Sequence, residues 1–182
     1  MHAWNKSKLL DVNIIQNEII DNIANLNANI EIESLVKEDV KIIGIIDSVI
    51  SFEKTINLEI GKNEISLPFD IYNPEFWWPN GLGNQKLYSI EIKLVDGTEI
   101  TSTLSENIGL RTIDVIQKPD SIGKSFYFEV NGVSVFMKGA NYIPQDVFLS
   151  RVSNKDYEKL IKSAADANFN MLRVWGGGIY EK

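Results

Sequence analysis

Cysteine is missing from all 182 positions, and histidine occurs once, at His2. The first absence removes disulfides, thiol nucleophiles and cysteine-rich metal centres, and it leaves the cellular compartment open. The second removes, within this chain, a histidine-based triad and a multi-histidine metal site. His2, beside the amino terminus, reads as a solvated side chain. Neither a metal nor a cofactor is expected. Positive charge is scarce as well. The 18 Lys and Arg against 25 Asp and Glu give a formal net charge of −7, whereas nucleic-acid binding needs clustered cations. No apolar run reaches the length that crosses a bilayer, and "MHAWNKSKLL" lacks the apolar stretch of a signal peptide. No nucleic-acid or membrane partner is expected. With 44% hydrophobic and 24% charged residues, the composition is that of a globular chain able to build a core. Its length allows one domain, or one domain plus a piece of another.

The apolar residues that are present follow two periods. Between Lys8 and Gln117 they mostly alternate. Leu26, Ala28, Ile30 and Ile32 face one way, while Asn27, Asn29, Glu31 and Glu33 face the other. The same period of two returns in Ile56-Leu58-Ile60 and Ile90-Ile92-Leu94. β-Branched residues are abundant, and turn chemistry recurs at Gly61-Lys62-Asn63, Asn80-Gly81 and Asp96-Gly97. The Asp96-Gly97 pair lies between strand-like runs and predicts a hairpin with a type I′ turn, which needs positive φ at both central residues. About seven or more strands with no convincing helix predict an antiparallel sandwich of immunoglobulin type.

Past residue 120 the pattern changes. "FYFEVNGVSVFMKGAN" reads as strand, Asn131-Gly132 turn, strand, and Pro144 in the following loop keeps a helix from starting early. Ser153 with Asp156 three residues on has the spacing of a helix start. Tyr157, Leu160, Ile161 and Ala164 then form one apolar helical face. The helix should end around Asn168, which tolerates a left-handed cap, and "NMLRVW" follows as a strand. Strand, helix and strand with short connections make a βαβ unit, hence a parallel pair. "QKPDSIGKS" is the best linker candidate. A lone βαβ unit cannot cover both faces of its sheet, so the chain is expected to be a truncated piece of a larger sheet.

In "MLRVW", Met171, Arg173 and Trp175 share one face and Leu172 and Val174 the other. If Leu172 and Val174 pack on the helix, Arg173 and Trp175 point into the opposite space, which in a (β/α) barrel is where the chemistry sits. A buried guanidinium there requires an acidic partner, to be supplied from outside this chain. The other reading keeps Arg173 at a solvated edge and Trp175 in a core. Gly176 to Gly178 carry neither a P-loop nor a dinucleotide fingerprint and read as a flexible turn. Glu31 and Glu33 are best explained as a solvated sheet face, and Asp146 and Glu181 as surface loop residues. Trp77 and Trp78 could form a sugar platform, but the adjoining Pro79-Asn80-Gly81 favours packing or docking on a neighbouring domain.

"FYFEVNGVSVFMKGANYIPQD", "DANFNMLRVWGGGIYE" and "ENIGLRTIDV" resemble the β-mannosidase branch of glycoside hydrolase family two. "WWPNGLG" with "LYSIEIKL" is similar to the immunoglobulin-like domain that precedes the barrel in those enzymes. "AWNKSKLLDV" looks like the exit from their amino-terminal sugar-binding β-domain. The resemblance implies an all-β immunoglobulin-like sandwich followed by the first strand-helix-strand of a truncated (β/α)8 TIM barrel. Residues 1–7 would end the preceding domain, 8–117 would be the sandwich, and 118–182 a linker hairpin with the first βαβ unit. Barrel strand one would be "VFMKGAN" and strand two "NMLRVW".

It further implies retaining, exo-acting hydrolysis of terminal β-linked mannose by two glutamates, one acid/base and one nucleophile. Both would lie on later strands, so this chain holds no catalytic residue and should be inactive alone. Trp175 matches the family tryptophan lining the mannose pocket. Arg173 matches the arginine below it, which orients a catalytic carboxylate. Asn141 and Tyr142 are supporting residues one layer further out. The implied partners are a β-mannoside or mannose-containing oligosaccharide and the remainder of the chain's own barrel. Two alternatives stay open: a β-glucosaminidase or β-galactosidase of the same family, and a non-catalytic immunoglobulin-like module binding carbohydrate or protein.

Overall fold

The computed structural model describes Trp4 and residues 6–177; His2, Gly178 and Glu181 lie outside the described residues. The chain divides into two units. One runs to Glu75 and resumes over Lys86–Leu110, and the other comprises Phe76–Gln85 and the residues from Arg111 onward.

The first unit has seven strands: β1 (Ser7–Ile20), β2 (Ile23–Ser34), β3 (Glu38–Ile46), β4 (Val49–Leu58), β5 (Gly61–Tyr72), β6 (Tyr88–Asp96) and β7 (Glu99–Ile108). They form a three-stranded sheet, β1-β2-β5, and a four-stranded sheet, β4-β3-β6-β7. Every neighbouring pair is antiparallel. Alternation in sequence becomes alternation in burial. Ala24, Leu26, Ala28, Ile30 and Ile32 of β2 are all fully buried, and Val40, Ile42, Leu58, Ile90, Ile92 and Leu94 of the other sheet meet them in one core. Each such Leu or Ile contributes about 1.5–3 kcal/mol by leaving water. Ile60 breaks the expected stripe. It lies between β4 and β5 and is exposed.

Two turns carry left-handed residues without glycine: Asp21 and Asn22 (φ 51° and 61°), and Asp47 and Ser48 (φ 45° and 72°). Positive φ at both central residues is the type I′ pattern, which matches strand twist. The β6–β7 hairpin exists but is offset from the expected one. Asp96 pairs with Glu99 after a bulge between Leu94 and Val95, so Gly97 and Thr98 are the central residues. Gly97 has φ of 60° and Thr98 is not among the positive-φ residues, which is the II′ pattern instead.

The Asp47 turn is tied down by its carboxylate. Oδ2 accepts from Lys86 Nζ at 2.7 Å, Oδ1 accepts from the Ser89 amide at 2.9 Å, and the Asp47 amide donates to the Ser89 carbonyl at 3.0 Å. The Lys86 ammonium, and after it the Ser89 amide, hold the Asp47 carboxyl below its ordinary value of 3.8. A carboxyl with a depressed folded value stabilises the fold above its unfolded pKa, and that contribution disappears as pH falls through the folded value. We expect Asp47→Asn to flatten the acid limb of sandwich stability below about pH 4. The group is partly solvated, so the change is small, and urea midpoints between pH 2 and pH 5 measure it. Parallel acid limbs in the two proteins would contradict the assignment.

In the second unit β8 (Ile113–Ile116), β9 (Tyr127–Val130) and β10 (Val133–Val135) form an antiparallel sheet in the order β10-β9-β8. The residues grouped with the sandwich end at Leu110 rather than Gln117, because β8 pairs with β9. The "QKPDSIGKS" stretch is the closed loop of that hairpin. Asp120 Oδ1 accepts from the Ile122 and Gly123 amides, and Lys118 and Ser125 bond each other in both directions. The Asn131-Gly132 turn has φ of 52° and 75°, the expected chemistry.

A parallel pair follows, β11 (Gly139–Tyr142) with β12 (Met171–Val174), separated by the helix α1 (Asn154–Asp166). The Asp156 carboxylate accepts from the Ser153 amide at 2.9 Å and the Ser153 hydroxyl at 2.6 Å. These bonds hold its pKa low. Ser153 and Asp156 thus form a capping box, the Ser153 side chain facing the Asp156 amide and the Asp156 side chain the Ser153 amide. At the other end Asn168 has φ of 60°, its amide donates to the Ala165 carbonyl, and the Phe169 amide donates to Ala164. This 5→2 and 6→1 pattern is a Schellman cap. "VFMKGAN" is not one strand. Val135 ends β10 and Gly139 starts β11, because the intervening backbone bonds Asn170 instead of a ladder: Asn170 Oδ1 accepts from Lys138 N and its Nδ2 donates to Phe136 O.

Candidate functional site

The site sits at the carboxyl end of the parallel pair. Its register is Gly139 with Met171, Ala140 with Leu172, Asn141 with Arg173 and Tyr142 with Val174. Gly139 makes this register possible, since a Cβ there would lie 1.9 Å from the Met171 carbonyl oxygen. The pairing runs one residue past β12, with the Trp175 amide donating to Tyr142 O at 3.2 Å.

That register joins the four sequence-predicted residues in two pairs, Arg173 with Asn141 through side chains and Trp175 with Tyr142 through the backbone. Arg173 Nη1 donates to Asn141 Oδ1 at 2.9 Å. Among the described residues its hydrogen-bond partner is therefore a neutral amide, which orients the guanidinium without neutralising it and leaves the rest of the fork for an acceptor. Arg173 is exposed, as is Trp175 at 43%, and the indole lies over Gly177, where a Cβ would come within 3.0 Å of the ring. Tyr142 is half-buried and joins through its backbone. A cation oriented by an amide has the chemistry to meet a carboxylate, and an exposed indole that to meet an apolar ring face. The arrangement contains, among the described residues, no proton-transfer pair and no nucleophile. Among the described residues no three Asp, Glu or His side chains gather as metal ligands.

The other candidates lie elsewhere. Glu31 is paired with Lys62 on the outer face of the sandwich, and Glu33 is half-buried on the same face. Asp146 Oδ1 accepts from the Phe148 amide at 2.7 Å in its own loop. Trp77 and Trp78 belong to the second unit, within residues 76–85. The Arg111 guanidinium stands 5.2 Å from the Trp77 ring centroid, Trp77 O accepts from Asn131 Nδ2, and the Trp78 ring packs over Gly83. Both indoles are engaged in packing. Sequence reasoning missed Asn141 as the partner of Arg173. The two are 32 residues apart, and only the parallel register joins them.

Comparison with known proteins identifies the family. The family model described as Glycosyl hydrolases family 2 matches residues 8–111, more than half of the chain. The chain is 45% identical over 130 residues to beta-mannosidase B of Emericella nidulans, covering 68% of this chain and 15% of that protein. It is 37% identical over 147 residues to beta-mannosidase B of Aspergillus oryzae, covering 74% and 17%. The chain thus spans about a sixth of the length of these curated relatives. Among solved structures, a β-D-mannosidase from Dictyoglomus thermophilum superposes with a TM-score of 0.84 at 36% identity, covering 100% of this chain and 23% of that one. An exo-chitosanase from Amycolatopsis orientalis superposes with a TM-score of 0.77 at 21% identity, covering 97% and 21%, which is a likeness of fold. From the sandwich match and these relatives, the chain belongs to family 2 of the glycosyl hydrolases.

Proposed function

We propose that this chain is the immunoglobulin-like sandwich and the opening strand-helix-strand of the catalytic (β/α)8 barrel of a retaining, exo-acting β-mannosidase. Residues 1–7 end a preceding β-domain in this reading. The two catalytic glutamates come from later barrel strands, and Arg173 and Trp175 supply part of the pocket for terminal β-linked mannose. The observation that carries the reading is the parallel pair β11–β12, with Arg173 oriented by Asn141 and Trp175 exposed beside it. Such a pair is the repeating step of a barrel whose chemistry sits at the carboxyl ends of its strands. Exposed apolar side chains support it too. Ile122, Phe136 and Val147 are 97%, 84% and 93% exposed, a pattern that calls for further covering structure. Identities of 37–45% to beta-mannosidase B proteins favour mannose over glucosamine.

In that enzyme the guanidinium fork holds a catalytic carboxylate ionised and aligned, and the indole covers the C–H face of the sugar and excludes water. The chain alone holds neither glutamate of the pair. We expect the purified 182-residue chain to leave a chromogenic β-mannoside intact, while the longer polypeptide containing it turns that substrate over. Turnover by the chain alone, after host-enzyme controls, would sink the reading.

A further inference from the structure

The segment that interrupts the sandwich, Phe76–Gln85, is folded as a small hairpin of the second unit. Trp77 and Gln85 form an isolated bridge, and the Trp78 amide donates to Asn84 O at 2.9 Å. Leu82 N closes the tip onto Pro79 O at 3.1 Å, with Gly81 at φ 80°. That turn holds Asn80 outward from the hairpin's own hydrogen bonds. Its Nδ2 donates to two backbone carbonyls more than eighty residues away, Ala165 O at 3.2 Å and Phe169 O at 3.0 Å.

Those two acceptors flank the Schellman turn that joins α1 to β12. Ala165 O already accepts from the Asn168 amide in the cap, and Asn80 Nδ2 is a second donor to it. Phe169 O is the last carbonyl before Asn170, and Asn170 is itself bracketed by Phe136 O, Lys138 N and Lys138 O. Two asparagine amides therefore clamp the turn from both sides. β12 leaves it four residues before Trp175, and the turn's Asn168 is in the left-handed region. One planar NH2 group, with its two hydrogens fixed in direction, spans both sides of this turn.

We infer that Asn80 is a positioning residue for β12: it fixes the angle at which the strand leaves the helix, and so where Arg173 and Trp175 stand. The inference rests on the reading of β12 as the strand that faces the substrate, but its test does not use activity. A carboxylate cannot replace the amide, because it accepts only and would face two carbonyl oxygens. A protonated carboxyl can restore one of the two bonds.

The test is millisecond-labelling hydrogen exchange on the full 182-residue chain, comparing the parent with Asn80→Ala and Asn80→Asp. Asn80→Ala should speed exchange of the Phe169, Asn170 and Trp175 amides roughly tenfold, with β2 amides of the other unit unchanged. Asn80→Asp should match it at pH 7. At pH 4 it should recover part of the protection, relative to the parent at the same pH. Unchanged rates in Asn80→Ala, a pH-independent Asn80→Asp, or an equal loss over the β9–β10 hairpin would each overturn the assignment. A null result would leave the glycosidase reading standing. Loss of that reading would leave the exchange result standing.

Discussion

Trp175→Ala, made in the longer enzyme, should lower kcat/KM on β-mannosides roughly 100-fold, about 2.7 kcal/mol of transition-state stabilisation. The indole is 43% exposed one residue past β12 and lies over Gly177. On the proposed reading the loss belongs to the sugar pocket, and a melting temperature close to the parent's separates it from a loss of fold. An aromatic face packs on sugar C–H bonds and strips water from the reacting centre, so its removal affects both binding and chemistry. Arg173→Lys separates the two roles. Lysine keeps the charge but loses the planar fork that Asn141 orients at 2.9 Å, so kcat should fall with little change in KM. Steady-state kinetics on an aryl β-mannoside measure both variants. A Trp175→Ala enzyme within threefold of the parent would remove the residue from the pocket.

Gly139→Ala should break the parallel pair. The added Cβ would sit 1.9 Å from the Met171 carbonyl oxygen and 2.8 Å from its carbon. These are backbone atoms, so no rotamer change relieves the contact and one strand must move. The expected cost is about 3 kcal/mol. It falls on the bond from Trp175 N to Tyr142 O and on the contact between Arg173 and Asn141. Gly176→Ala is the control, since nothing lies within 4 Å of its Cβ position and its φ is not positive. Thermal melts of the longer enzyme should separate the two variants clearly, Gly139→Ala falling and Gly176→Ala unchanged. Equal melting temperatures would show that the close approach of β11 and β12 is not structural.

What could be read in the chain beforehand was local or periodic. The β2 stripe was legible because a half-buried strand writes burial into every second residue, and all five of its apolar inward residues are buried. Asn131-Gly132 and the left-handed Asn168 were legible because few residues accept positive φ. The turns at Asp21-Asn22 and Asp47-Ser48 were not, since they use that region without glycine. The β6–β7 turn centres on Gly97-Thr98, one residue past Asp96-Gly97, beside a bulge that no pattern of two announces. The site was legible by half. Alternation put Arg173 and Trp175 on one face, but their surroundings come from long-range amide contacts: Asn141 on Arg173, Asn170 across the gap before β11, and Asn80 on the turn before β12. A side chain bonding a carbonyl many residues away leaves no periodic trace.

The most direct check is a crystal structure of the intact polypeptide with a mannose-configured inhibitor bound. It should show the sugar ring against the Trp175 indole and the Arg173 fork on a glutamate contributed by a later strand. Either side chain lying on an outer surface, away from the sugar, would contradict the account.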